Sequence, residues 1–89
     1  MKKNVMFEVD LDKLADKVID IIYYDNYNGN QLDKWPRLNM FCDDMLTIID
    51  KDTLKRALRK AHRRIPQVYS HPQSISYVRQ CMMVIINKY

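Results

Sequence analysis

The fold is decided by the stretch from Leu54 to Ile65, which reads LKRALRKAHRRI. Its apolar residues recur at the spacing of one face of an α-helix. The remaining residues of the stretch are six Lys or Arg side chains and one histidine. A helix with this pattern has to bury its narrow apolar face against other elements while its cations stay in water. We call that face the seam, and it consists of Leu54, Ala57, Leu58, Ala61 and Ile65.

The rest of the chain predicts three further helices. Apolar residues repeat at helical spacing over residues 11–24, over about 36–49 and over about 73–87. Residues 25–34 and 67–71 have the composition of loops, and residues 4–9 alternate enough to form a short strand or an extended arm. We therefore expect an all-α protein, a compact bundle of about four helices with that short N-terminal strand or arm, in which residues 1–89 form a single helical domain.

Acidic and proline residues predict where the helices begin and end. Asp10 or Asp12 is suited to cap the first helix, and Asp52 or Thr53 to cap the third. Pro66 is expected to end the third helix at Ile65. The connection to the last helix would then be longer than the three or four residues of a helix-turn-helix motif, and this argues against that motif.

Charge is divided unevenly along the chain. Residues 1–52 contain all 11 acidic residues against seven Lys and Arg, whereas residues 53–89 contain eight Lys and Arg and no acid. Six of these cations lie between Lys55 and Arg64. Cations this dense repel one another unless a counter-charge is nearby. That counter-charge is either the aspartates of the N-terminal half or a polyanionic partner.

The first hypothesis is a small, non-enzymatic protein that binds DNA or RNA along the phosphate backbone. Four of the six cations are Arg, whose guanidinium group pairs well with phosphate oxygens. About five such contacts would make log K fall with log salt at a slope of roughly −4 to −5. The expected binding residues are Lys55, Arg56, Arg59, Lys60, His62, Arg63, Arg64, Tyr77, Arg79 and Gln80.

The alternative hypothesis is a protein-interaction module, such as a small inhibitor or adaptor from a phage or another mobile element. Its basic helix would dock on an acidic protein surface, or the contact would be made by the Tyr- and Asn-rich segment with Tyr23, Tyr24, Tyr27 and Asn28. The apolar run 81–86 belongs in the core or forms a homodimer contact through the C-terminal helix.

Composition argues against most other functions. The chain has one glycine, Gly29, so the glycine-rich loops that hold phosphates or expose a nucleophile cannot be built. Cys42, Cys81, His62 and His71 lack the local spacing of a metal site, and we expect no cofactor. The two cysteines sit in apolar helical patterns and are expected to be buried, reduced thiols of a cytoplasmic protein. No signal segment is predicted, and the longest apolar run is too short to cross a membrane.

Overall fold

The computed structural model describes the backbone of residues 10–27 and 35–89, and the side chains of residues 10–24 and 35–89. Within these ranges the chain forms four helices and no strand, which confirms the all-α bundle. The predicted strand or arm at residues 4–9 lies outside the described residues. The helices are α1 (Leu11–Tyr27), α2 (Pro36–Met45), α3 (Lys51–Val68) and α4 (Pro72–Lys88).

Helix α3 packs against both α1 and α4, and α2 packs against α1. All five residues of the seam are fully buried, as predicted. They meet apolar side chains of the two neighbouring helices in one continuous core. Burial of this seam is the favourable term that offsets repulsion among the cations on the outside of α3. The core also contains Ala15, Val18 and Ile22 of α1 and Val78, Met82 and Ile85 of α4.

Asp10 caps the N-terminus of α1. Its Oδ1 atom accepts hydrogen bonds from the backbone N–H groups of Asp12, at 3.0 Å, and of Lys13, at 3.2 Å. Of the two predicted caps, Asp10 is therefore the one that caps α1, and Asp12 lies inside the first turn of the helix. Asp16 follows four residues later, so the two carboxylates lie on the same side of α1.

Helix α3 is longer at both ends than the sequence predicts. It begins at Lys51 with Asp50 as N-cap, not at Asp52 or Thr53, and it passes through Pro66 to Val68. The expectation that Pro66 ends the helix is wrong because burial holds the last turn together. Ile65 is fully buried and its carbonyl accepts the Tyr69 N–H at 3.0 Å. Three residues, 69–71, therefore connect α3 to α4, so the predicted long connection is also wrong.

Replacing Pro66 with alanine is expected to raise the free energy of unfolding by about 1–2 kcal/mol. Proline has no N–H to donate to the His62 carbonyl one turn earlier, and alanine restores that donor. Pro66 is exposed, so little packing is lost. Urea unfolding followed by circular dichroism would measure the change. A lower stability would mean that the proline ring makes a native contact that outweighs the missing hydrogen bond.

The end of α2 also differs from the prediction. The helix ends at Met45, and the N–H groups of Thr47 and Ile48 bond three residues back, to the carbonyls of Asp44 and Met45. This tighter turn rotates Ile48 away from the apolar face, and its side chain is 71% exposed. The apolar spacing over residues 36–49 predicts Ile48 on the buried face of α2, and this prediction is therefore wrong.

Aromatic side chains join α2 to the core. Trp35, immediately before α2, is fully buried, and Phe41 packs half-buried against the core. From the end of α4, the Tyr89 hydroxyl donates a hydrogen bond of 2.8 Å to Asp43 Oδ1. The two contacts fix the position of α2 beside α1 and α4.

Both cysteines are free and buried, as predicted. Burial is the main reason that the pKa of the Cys42 thiol rises to about 12, and burial also raises the pKa of Cys81. Both thiols are therefore protonated at neutral pH and act as small apolar side chains.

Candidate nucleic-acid interface

The six cations of α3 form two parallel rows on its surface. Residues four apart on a helix are neighbours, so the cations divide into two series. We call Lys55, Arg59 and Arg63 the first row, and Arg56, Lys60 and Arg64 the second row. The first row lies on the side of the helix next to His62 and the second on the side next to Ala57 and Ala61.

Every member of the second row is paired with an aspartate. Arg64 makes the closest contacts, at 2.6 Å from its Nη2 atom to Asp12 Oδ1 and 2.5 Å from its Nη1 atom to Asp16 Oδ1. Lys60 Nζ lies 3.1 Å from the same Asp12 oxygen. Arg56 pairs within its own helix with Asp52, at 3.2 Å. The N-terminal half of the chain therefore neutralises this row.

The sequence explains why α1 reaches the second row. Ala57 and Ala61 stand one turn before Lys60 and Arg64, and such small side chains let a neighbouring helix come close. The hydrogen bond and charge of Lys60, and to a lesser degree Arg64, hold the pKa of the Asp12 carboxyl below its ordinary value, although desolvation acts in the opposite direction. Asp12 is therefore ionised at neutral pH, where it forms an ion-pair network with Lys60 and Arg64.

The first row has no such partners. Lys55, Arg59 and Arg63 pair with no carboxylate among residues 10–24 and 35–89. Arg59 and Arg63 are exposed and Lys55 is half-buried. Successive members rise by about 6 Å along the helix. The result is a line of three open positive charges across two turns of α3.

A groove of about 470 Å³ lies between α3 and α4, on the same side as the first row. From α3, the groove is lined by His62, which lies three residues after Arg59. Burial and the charges of Arg79 and Arg63 lower the pKa of the His62 imidazole. His62 is therefore neutral at pH 7 and surrounded by positive charge. The remaining lining residues come from α4: Pro72, Ile75, Ser76, Arg79, Gln80 and Met83.

The predicted residues of α4 do not all lie together. Arg79 and Gln80 line the groove, so they extend the surface formed by the first row. Tyr77 does not line it, and its side chain shares a hydrogen bond with Cys81 on its own helix. Met83, which we expected on the buried face, is 42% exposed at the groove. The reason is that the buried residues of α4, among them Met82 and Ile86, lie to one side of Met83 around the helix, so Met83 is left at the edge of the apolar face.

A second surface carries part of the predicted alternative site. Tyr23 and Tyr24 are exposed on α1, and the Arg37 guanidinium lies 4.3 Å from the centre of the Tyr24 ring. Arg37 also lines a smaller groove of about 260 Å³ between α1 and α2, together with the exposed Met40. Tyr23 lies against a different side chain, Tyr69, with 6.2 Å between the ring centres. Asn28 and the side chain of Tyr27 lie outside the described residues.

Metal-binding clusters and membrane-spanning helices are both absent from the described part of the chain. No three His, Cys, Asp or Glu side chains of this part converge on a point where they could hold a metal ion. None of the four helices is long and apolar enough to span a membrane.

Sequence reasoning missed two features of this interface. It did not separate the paired row from the open one, although the aspartates at 12 and 16 and the alanines at 57 and 61 carry the signal. It also missed Pro72, Ile75, Ser76 and Met83 as groove residues, because apolar spacing alone does not show which edge of a stripe faces water. Comparison with protein-family models, with curated proteins and with solved structures found no match to the chain.

Proposed function

We propose that this protein binds nucleic acid, without catalysing a reaction, through the first row of α3 and the adjoining part of α4. The observation that carries the proposal is the contrast between the two rows. Three cations are paired with aspartates, and three of the same kind on the same helix are left open. Open cations spaced along one line are suited to the regularly spaced phosphates of a nucleic-acid backbone.

Arg79 adds to this positive surface from α4. Like Arg59 and Arg63, it is exposed and pairs with no carboxylate in the described ranges. Four open cations, Lys55, Arg59, Arg63 and Arg79, therefore converge on one side of the bundle, while the exposed carboxylates of Asp12 and Asp16 lie on the other side of α3. A polyanion approaching this molecule is attracted to the face with the open cations, whereas the ion-paired side of α3 is close to neutral and attracts it little.

Fluorescence anisotropy with labelled single-stranded and duplex oligonucleotides, of both DNA and RNA, would test the proposal directly. We expect binding at low salt that weakens steadily as salt is added. If none of the four probes is bound at low salt, the proposal is wrong. A partner protein that remains bound after nuclease treatment would then support the alternative below.

Neutralising Asp12 and Asp16 is expected to increase the affinity. In the double variant Asp12→Asn, Asp16→Asn, Lys60 and Arg64 lose their partners and become open cations. We expect the affinity to rise about tenfold at 0.1 M salt and the salt dependence to become steeper. The matched control is Asp43→Asn, Asp44→Asn on α2, which changes the net charge equally. An equal gain in the control would show that net charge, not release of the second row, governs binding.

Binding is also expected to strengthen as pH falls from about 7.5 to about 5.5. The pKa of His62 is lowered in the free protein by burial and by Arg79 and Arg63. A bound phosphate would stabilise the imidazolium and raise this pKa, so the complex takes up a proton. We expect a rise of roughly threefold to tenfold, and its loss in His62→Gln. If His62→Gln showed the same gain in affinity at low pH, the gain would come from another titrating group.

The second candidate function is a protein-interaction module of phage or mobile-element type. The exposed Met40, which lines the groove between α1 and α2, and the exposed Tyr24, which contacts Arg37 of that groove, favour it, because large exposed apolar side chains near one another mark many protein contacts. A homodimer contact through α4 belongs to the same proposal, since Met83 and Val84 are exposed on that helix. For either function we propose a cytoplasmic location, which the two buried free thiols support.

A further inference from the structure

The groove between α3 and α4 combines two kinds of surface that the phosphate contacts of the first row do not require. Its apolar part consists of Pro72, Ile75 and Met83. Its polar part contains Ser76 and Gln80, which can both donate and accept hydrogen bonds. A flat aromatic ring with polar edges matches this combination, because its face needs apolar contact and its edge needs hydrogen bonds.

The charges around the groove select an anionic ligand. His62 and Arg79 line it, Arg59 lies one turn before His62, and Arg63 comes directly after it. No carboxylate of residues 10–24 or 35–89 lines it. A base attached to a negatively charged phosphate backbone therefore fits the electrostatics of this site, whereas a positively charged ligand does not.

The charges on the two sides of α3 favour binding of a single-stranded nucleic acid over a duplex. A helix in the major groove of a duplex, which is about 12 Å wide, faces a phosphate backbone on each side. Here the first row would meet one backbone. The other side presents the Asp12 and Asp16 carboxylates, which are 63% and 71% exposed. These carboxylates are already paired with Lys60 and Arg64, so this side is close to neutral and offers a second backbone little attraction. A duplex therefore gains contacts on one side only.

We propose that this groove holds one unstacked base of a single-stranded nucleic acid whose phosphates lie along the first row. This inference rests on the proposed function and narrows it to single strands. The base would pack on Ile75 and Met83, and its edge would bond with Gln80 and Ser76. Arg79 would stack on the ring or contact the adjacent phosphate, as guanidinium groups do in other single-strand sites.

Three probes of about 12 nucleotides separate this inference from the proposed function. They are a single DNA strand, the same strand with every base replaced by an abasic site, and the matched duplex. We expect the intact strand to bind about tenfold more tightly than the abasic one and more tightly than the duplex. Equal binding of intact and abasic strands, or tighter binding of the duplex, overturns the base site while nucleic-acid binding stands. Absence of binding to all three overturns both.

A matched pair of variants locates the effect. Gln80→Ala with Met83→Ala removes one polar and one apolar contact from the groove. Gln73→Ala with Val84→Ala makes similar changes at exposed positions of the same helix that do not line it. We expect the first pair to bring the affinity for the intact strand close to that for the abasic strand, with the abasic affinity unchanged. The second pair should keep the tenfold preference. Equal loss in both pairs, or in neither, contradicts a base in this groove.

Discussion

Replacing Arg59 and Arg63 together with alanine is expected to weaken nucleic-acid binding on the order of 50-fold at 0.1 M salt. Each arginine is exposed, and neither has a carboxylate partner in the described part of the protein. Losing two phosphate contacts also removes the release of their counterions, so the salt dependence should become shallower by about 1.5 in slope. Anisotropy titrations at four salt concentrations would measure both effects.

The control for this prediction is the double variant Arg56→Ala, Lys60→Ala. It removes the same charge from the same helix, since Arg56 and Lys60 directly follow Lys55 and Arg59 of the first row. Because Arg56 and Lys60 are already paired with Asp52 and Asp12, we expect less than about threefold weakening. Both variants should keep the helical circular dichroism spectrum, since all four side chains lie outside the buried seam. Equal losses in the two variants would mean that binding responds to net charge alone.

Leu58→Ala is expected to lower the free energy of unfolding by about 2–5 kcal/mol. Leu58 is fully buried in the centre of the seam, where α1 and α4 both pack against α3. Removing its side-chain methyl groups loses apolar burial and leaves a cavity in a thin core. A domain of this size is marginally stable, so the variant could be partly unfolded at 37 °C. Thermal and urea unfolding would measure the loss.

Leu46→Ala is the matched control, because it is the same substitution at a side chain that is 37% exposed. We expect a change within about 0.5–1 kcal/mol. If Leu58→Ala is no more harmful than Leu46→Ala, then the seam is not the main apolar contact of α3. The bundle would have to be held together in another way.

The positions of the helices could be predicted because local patterns carry them. The seam of α3 and the start of α2 at Pro36 follow from spacing and from proline geometry. Helix ends were predicted less well, because they depend on packing. Pro66 is a stop signal in isolation, but burial of Ile65 holds the helix through it. Ile48 fits an apolar face in sequence, yet the tight turn after Met45 turns it to solvent.

The candidate interface, like the helices, could be predicted from the sequence only in part. Composition shows that α3 is basic, but which cations remain open depends on a helix about 50 residues away in sequence. Arg64 meets Asp12 and Asp16 because the fold places α1 on the side of Ala57 and Ala61. The groove beside His62 likewise exists because the connection to α4 is short. The periodicity of apolar residues along the sequence does not predict contacts between distant segments.

The salt dependence of binding by the unaltered protein tests the central claim most directly, because its slope counts the cations that contact phosphate. Four open cations, each releasing about 0.7–0.9 counterions, predict a slope of log K against log salt of about −3. A slope of −5 or steeper would show that the second row also contacts phosphate and that its aspartates do not neutralise it. A slope near zero would show that the open row is not used for binding.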